Sequence, residues 1–168
     1  MLTYDRFTTP VGQLIVVRSP VGVCYIGLPS TTLSQVKGWA GKTFPGVPLQ
    51  PAPGPFHLER QELRAYVRRE RTTFTLNLDH QNTPFAMKVL DAVHRIPYGE
   101  TVTYRAIAER IGRPRSSRAV GRAVATNPLP LAIPCHRVVG SDGSLTGYGG
   151  GLPLKQRLLE METGAAWL

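Results

Sequence analysis

At 168 residues, with 42% hydrophobic and 18% charged side chains, the chain has the composition of a folded globular protein and not of a disordered one. It has no apolar run of about eighteen residues that could cross a bilayer. The opening Met1-Leu2-Thr3-Tyr4-Asp5-Arg6 lacks a signal-peptide core, so a cytoplasmic protein without a membrane partner is expected. The formal net charge of +9 favours a polyanionic partner, since each neutralised phosphate releases condensed counterions.

The first part of the chain reads as β. Thr3 to Phe7, Leu14-Ile15-Val16-Val17 and Val23-Cys24-Tyr25-Ile26 are short β-branched or alternating runs, the last two separated by Ser19-Pro20-Val21-Gly22. A small antiparallel meander is predicted. The Pro/Gly-rich stretch from Phe44 to Pro55 can form neither a regular helix nor a central strand and is predicted as a surface loop. A helix is predicted over Leu58 to Arg71, from the spacing of Leu63, Tyr66 and Val67. A strand is predicted over Phe74 to Leu78, and the N-terminal unit ends near Gln81.

From residue 82 the pattern is helical. Thr83 is a predicted N-cap with Pro84 at the first helical position, and Phe85, Val89, Val93 and Ile96 mark one face. Thr103 caps a second predicted helix, through Tyr104, Ile107 and Ile111, ended by Gly112 and Pro114. Ser116 or Ser117 caps a third, ended by Asn127-Pro128. Two short helices joined by a few residues suit a helix-turn-helix. A last helix is predicted from Pro153 to about Thr163, stopped by Gly164. Six arginines lie between Arg105 and Arg122 against one acid, Glu109, which predicts a basic face. Gly121 falls inside the third helix, where glycine costs about 1 kcal/mol relative to alanine. Either a neighbouring helix or a DNA backbone approaches it closely.

Two cysteines, Cys24 and Cys135, are too isolated to suggest a zinc site, and a disulfide is not expected. Cys24 sits in an apolar strand pattern with no base beside it and reads as a small core hydrophobe. Cys135 follows the apolar Leu131-Ala132-Ile133-Pro134 and precedes His136 and Arg137, so it is the better nucleophile: the thiolate is the reactive form, and cationic or proton-accepting neighbours favour it. On an extended chain, adjacent side chains point to opposite sides, so a water or a bend would have to connect His136 to the sulfur. Glu160 and Glu162 are the carboxylates nearest in sequence that could orient His136.

The segment from Asn127 to Gly140, with Pro134-Cys135-His136-Arg137 at its centre, resembles the active-site segment of the O6-alkylguanine-DNA alkyltransferases. Its flanks agree: Ile96-Pro97-Tyr98-Gly99-Glu100-Thr101-Val102-Thr103-Tyr104, Ser117-Arg118-Ala119-Val120-Gly121 and Gly147-Tyr148-Gly149-Gly150-Gly151. The similarity spans Thr83 to about Glu162, and Thr8, Pro10 and Gly12 also fit. The resemblance implies an α+β protein with two domains. Residues 1–81 would form a ribonuclease-H-like α/β domain with an antiparallel sheet, and residues 82–168 a helical DNA-binding and active-site domain with a helix-turn-helix. It also implies a function, irreversible single-turnover transfer of an alkyl group from O6 of guanine to Cys135, with O4 of thymine as a candidate second site.

Roles follow from the same resemblance. Cys135 is the acceptor, His136 the base acting through a water, Glu162 its orienting partner, and Asn127 holds the turn before the active-site segment. Tyr104 helps rotate the damaged nucleotide out and donates a hydrogen bond to the base. Val138, Tyr148 and Gly149 line the pocket. Arg118 fills the space left in the duplex, and Ser117, Ala119, Gly121 and Arg122 complete the DNA-binding face. The implied partner is double-stranded DNA containing O6-alkylguanine, bound by a monomer, with cooperative loading an open alternative.

No cofactor and no metal are implied, and the zinc-binding set of some animal relatives is not reproduced. Gly149 stands where several relatives have serine, which predicts a less crowded pocket rim. Val124 replaces a methionine of some relatives. The rival expectations are a non-catalytic alkylated-DNA recognition protein, whose relatives carry tryptophan in place of Cys135, and a helix-turn-helix regulator, which leaves the Pro-Cys-His-Arg segment without a purpose.

Overall fold

Alternating apolar residues build the first of two compact units, Met1–Gln81. In the computed structural model, which describes residues 1–164, β1 (Leu2–Thr9), β2 (Gly12–Arg18) and β3 (Val23–Gly27) run antiparallel in the predicted meander. All four side chains from Leu14 to Val17 are buried, which requires cover on both faces of the sheet. Two helices supply it. α1 (Leu33–Thr43) brings Val36 and Ala40 against Leu2, Ile15, Val17 and Cys24. α2 (His57–Val67) meets the β1 residues of opposite parity: Arg60 clamps Asp5 with bonds of 2.6 and 2.7 Å and lies near the Phe7 ring.

The structure corrects several sequence expectations in this unit. The α1 helix was not predicted, although Thr32 and Gln35 form a reciprocal capping box at its start. The Pro/Gly-rich stretch is not all loop, because β4 (Leu49–Pro51) pairs parallel with β1, and the sheet is therefore mixed and not the antiparallel one expected. The β4 strand occupies the sheet edge, in the order β3-β2-β1-β4, where proline is tolerated. The α2 helix ends at Val67 and not at Arg71, as Arg69 turns to a left-handed φ of 64° and Glu70 N–H donates back to Ala65. Phe74 to Leu78 forms no strand beyond one bridge from Leu78 to Val23. There the buried Glu62 carboxylate takes the Thr75 N–H, a donor a ladder would use, and is held also by the Thr75 hydroxyl.

The second unit begins at Asn82 and is largely helical. It contains α3 (Pro84–His94), α4 (Tyr104–Arg110), α5 (Ser117–Ala125) and α6 (Leu152–Thr163). Thr83 and Thr103 cap as predicted, their hydroxyls accepting the N–H of Ala86 at 3.2 Å and of Ala106 at 3.0 Å. Ser116 is the N-cap residue of α5 but makes no side-chain cap bond. Helices α4 and α5 pack on each other and on α3 around Val89, Val93, Ile107 and Val120. Two short strands, β5 (Val102–Thr103) and β6 (Val138–Val139), pair in parallel with Thr103 opposite Val139. That register matters for the site: Tyr104 starts α4 just after β5, and Cys135 to Arg137 stand just before β6. No helix among the described residues is long and apolar enough to cross a membrane.

Candidate active site

The segment before β6 is not extended as the sequence suggested. Cys135–Arg137 forms a turn of 3₁₀ helix, with Arg137 N–H donating to Pro134 at 3.0 Å and Val138 N–H to Cys135. In such a turn successive side chains diverge by about 120° instead of 180°, so Cys135 and His136 are not on opposite sides of a strand. The approach to the turn is held by Asn127. Its side-chain N–H₂ donates to the Ile133 carbonyl at 2.9 Å, and its oxygen accepts the Leu129 N–H at 3.0 Å. Between these anchors Leu131 adopts a left-handed φ of 73° although it is not glycine. A conformation of that kind costs roughly 1–2 kcal/mol and persists only where neighbours enforce it.

Behind the turn lies a buried charged network. His136 is 0% exposed, and its Nε2 lies 2.8 Å from Glu162 Oε1. The same carboxylate accepts two bonds from Arg137, Nε to Oε2 and Nη2 to Oε1, each 2.8 Å. Arg137 Nη1 also donates to the Ile96 carbonyl at 2.6 Å, and its guanidinium lies 5.5 Å from the Tyr98 ring centroid. A forked arginine–carboxylate pair of this kind keeps Glu162 charged despite its burial. Burial pushes the His136 pKa below its ordinary value, while Glu162 opposes the shift. His136 is therefore neutral near pH 7 and able to accept a proton.

Cys135 is 7% exposed. Burial raises its thiol pKa, while a bond from Asn127 and the Lys155 charge lower it. Cys24 differs in kind. Burial and the Asp79 charge push it up to about 12, and from β3 its sulfur donates to the Val17 carbonyl of β2, so it is inert core.

Sequence reasoning missed two buried charges beside the turn. Arg137 is part of the quoted segment, yet its fork onto Glu162 required the fold to bring α6 alongside. Lys155 lies on the buried face of α6 with Leu158, Leu159 and Glu162. A lysine at a core position of an amphipathic helix is the signal that could have found it.

Four of the remaining candidates, Tyr104, Ser117, Arg118 and Gly121 on α4 and α5, line a cavity of about 540 Å³ together with Thr146 and Gly147. Cys135, Val138, Tyr148 and Gly149 are not in its wall. Tyr104 donates its hydroxyl to the Thr146 carbonyl at 3.2 Å. Val138 is buried, Tyr148 half-buried and Gly149 exposed. Arg118 and Arg122 are exposed on α5, and Ala119 is half-buried. A Cβ on Gly121 would meet only the Tyr104 ring, at 3.8 Å, so packing within this unit does not demand glycine there. Among the described residues, no three His, Cys, Asp or Glu side chains converge as a metal site requires.

An α+β chain with six helices and a mixed four-stranded sheet among its described residues, carrying a buried thiol beside a histidine–carboxylate pair in a helical unit, defines a cysteine-centred protein class. Comparison with known proteins makes this specific. Residues 84–164 match the family description "6-O-methylguanine DNA methyltransferase, DNA binding domain". The chain is 37% identical to the inducible methylated-DNA–protein-cysteine methyltransferase of Bacillus subtilis, over 86% of its own length and 81% of the relative's. It is 39% identical to the methylated-DNA–protein-cysteine methyltransferase of Mycolicibacterium paratuberculosis, over 96% and 93%. It also superposes on the crystal structure of Mycobacterium tuberculosis OGT in complex with DNA with a TM-score of 0.82, at 36% identity, covering 98% of this chain and 94% of that one. The chain belongs to the methylated-DNA–protein-cysteine methyltransferase family.

Proposed function

We propose that this chain repairs DNA by direct reversal, taking the alkyl group from O6 of guanine onto Cys135 in a single turnover. The observation that carries the proposal is the Cys135-His136-Arg137 turn backed by Glu162, with His136 Nε2 at 2.8 Å from the carboxylate. Glu162 orients His136 as base, and a bridging water takes the thiol proton to it. The sulfur then attacks the alkyl carbon in line: the S–C bond forms, the C–O6 bond breaks, and its electron pair leaves with guanine. The Tyr104 hydroxyl supplies a hydrogen bond to the departing base where negative charge grows. The product thioether has no neighbour that can cleave it, so the protein is consumed.

Guanine inside a stacked pair offers no in-line approach to its O6 substituent, so the nucleotide must be extruded. Helices α4 and α5 are suited to act as a helix-turn-helix, with Ser117, Ala119, Gly121 and Arg122 against the backbone and Arg118 in the vacated stack. Small residues and phosphate contacts bind without choosing a sequence, as a repair protein needs. The cavity beside Tyr104 is the candidate entry for the flipped base. Entry there requires Tyr104 to give up its bond to Thr146. Asn127 holds the turn, while Val138, Tyr148 and Gly149 form the inner rim. The finer architecture is a ribonuclease-H-like unit over residues 1–81, followed by a DNA-binding unit over 82–168, in a cytoplasmic monomer.

Two predictions test the DNA-facing assignments. Arg118→Ala is expected to slow repair of O6-methylguanine in a duplex by ten-fold or more, on the order of the few kcal/mol that extrusion costs. The free base O6-benzylguanine should react at an unchanged rate. Equal losses on both substrates would remove Arg118 from the duplex. A Cβ at Gly149 would meet nothing within 4 Å, consistent with an open rim. Benzyl adducts should therefore be repaired at rates comparable to methyl adducts, and Gly149→Ser should favour methyl. A strong methyl preference in the unmodified protein would overturn this.

A further inference from the structure

Lys155 is 0% exposed, an unusual state for a lysine. Its ammonium is not paired with a carboxylate in the manner of Arg137. It donates instead to three carbonyls: Val138 at 2.6 Å, Thr146 at 2.9 Å and Gly147 at 3.4 Å. Val138 follows the Cys135 turn directly, whereas Thr146 and Gly147 belong to the loop between β6 and α6 and line the cavity. The same ammonium lies 6.0 Å from the Tyr104 ring centroid, and Tyr104 donates to the Thr146 carbonyl that Lys155 also holds. One cation thus joins the nucleophile's segment, the cavity wall and the base-donating tyrosine.

We propose that Lys155 is a positioning residue for alkyl transfer, tying the Thr146–Gly147 wall to the Cys135 segment while its positive charge offsets the sulfur's negative charge. The proposal rests on the alkyl-transfer function above. Among the described residues, the titratable groups that face it are Cys135 and His136 on the turn and Tyr104 on α4. Arg137 is committed to Glu162 by its fork, and among the described residues the cationic charge felt by the sulfur is that of Lys155. Each group registers the other: the Lys155 charge lowers the Cys135 pKa, and Cys135 supports the protonated lysine. Burial brings Lys155 down to about 8. Below that pH the charge and all three donors are present; as pH rises through it the charge is lost, and the tie weakens because a neutral amine keeps only two N–H donors for the three carbonyls.

The test is single-turnover transfer from an O6-methylguanine duplex, followed from pH 6 to 9.5, with duplex affinity measured in parallel. Lys155→Met is expected to bind duplex within about two-fold of the unmodified protein yet transfer at least ten-fold more slowly. The unmodified protein should lose rate above about pH 8. Lys155→Arg, charged throughout, should lack that fall and recover part of the Lys155→Met loss. A Lys155→Met rate equal to the unmodified protein's, or a loss matched by weaker duplex binding, would overturn the proposal. If Lys155→Met does not fold, lysine ¹³Cε resonances of the unmodified protein and of Cys135→Ser decide. A lysine titrating near pH 8 that moves to lower pH in Cys135→Ser supports the proposal, and its absence overturns it. Failure of the unmodified protein to transfer methyl at all would instead refute the function on which the proposal rests.

Discussion

Replacing Cys135 with alanine is expected to abolish methyl transfer, and the unmodified protein is expected to gain about 14 Da on that residue after one equivalent of O6-methylguanine duplex, as covalent capture by a thiol requires. Mass spectrometry of the digested protein checks both halves. The loss should be complete, because Cys24, the other thiol, lies within β3 with its pKa pushed up to about 12. Cys24→Ala should accordingly retain full transfer. Cys135→Ala should still bind duplex, since Arg118 and the α5 face are untouched. Label found on Cys24, or transfer surviving in Cys135→Ala, would remove the proposed mechanism.

The second large effect is expected at Glu162. Its two oxygens accept from Arg137 twice and pair with His136 once, all at 2.8 Å, and all three side chains are buried. Glu162→Gln keeps the shape but removes the charge, leaving the Arg137 guanidinium buried without a counterion. Breaking a buried pair from one side costs about 3–5 kcal/mol. The midpoint of urea unfolding should fall accordingly. Transfer should also slow by roughly 10²-fold or more, the usual contribution of a positioned base, because neutral glutamine does not stabilise the protonated ring and has a single acceptor oxygen for His136 and Arg137 together. Measuring the rate at a temperature where the variant stays folded separates the two losses. A destabilised variant with an unchanged rate would make Glu162 a structural residue only.

The two effects are linked by the pH behaviour of His136. Its pKa is lowered in the folded protein, so on acidification the unfolded chain takes up a proton first. Its burial thus draws stability away as pH falls below about 6.5, the ordinary histidine value. Near pH 7 the neutral ring is the form that can accept the thiol proton.

The sequence by itself determined the local elements whose signals are short-range. Thr83 with Pro84 started α3, Thr103 started α4, and Gly164 ended α6. The meander from β1 to β3 followed from β-branched runs and one turn. The Pro-Cys-His-Arg segment with its flanks identified the family and singled out Cys135 over Cys24. The tertiary structure decided what depends on chain segments distant in sequence. Whether residues 74–78 become a strand is set by Glu62, which takes the donors of Thr75. Whether 49–51 pair is set by a free edge on β1. The Cys135 turn is 3₁₀ and not extended because Asn127 and the left-handed Leu131 lead the chain into it. The fork of Arg137 on Glu162 and the hold of Lys155 on Val138, Thr146 and Gly147 arise only when α6 folds back against β6. Spacing along the chain could place a thiol next to a histidine. Burying a carboxylate and two cations behind that thiol, each satisfied, needed partners distant in sequence, 17 residues apart for Lys155–Val138 and 41 for Arg137–Ile96.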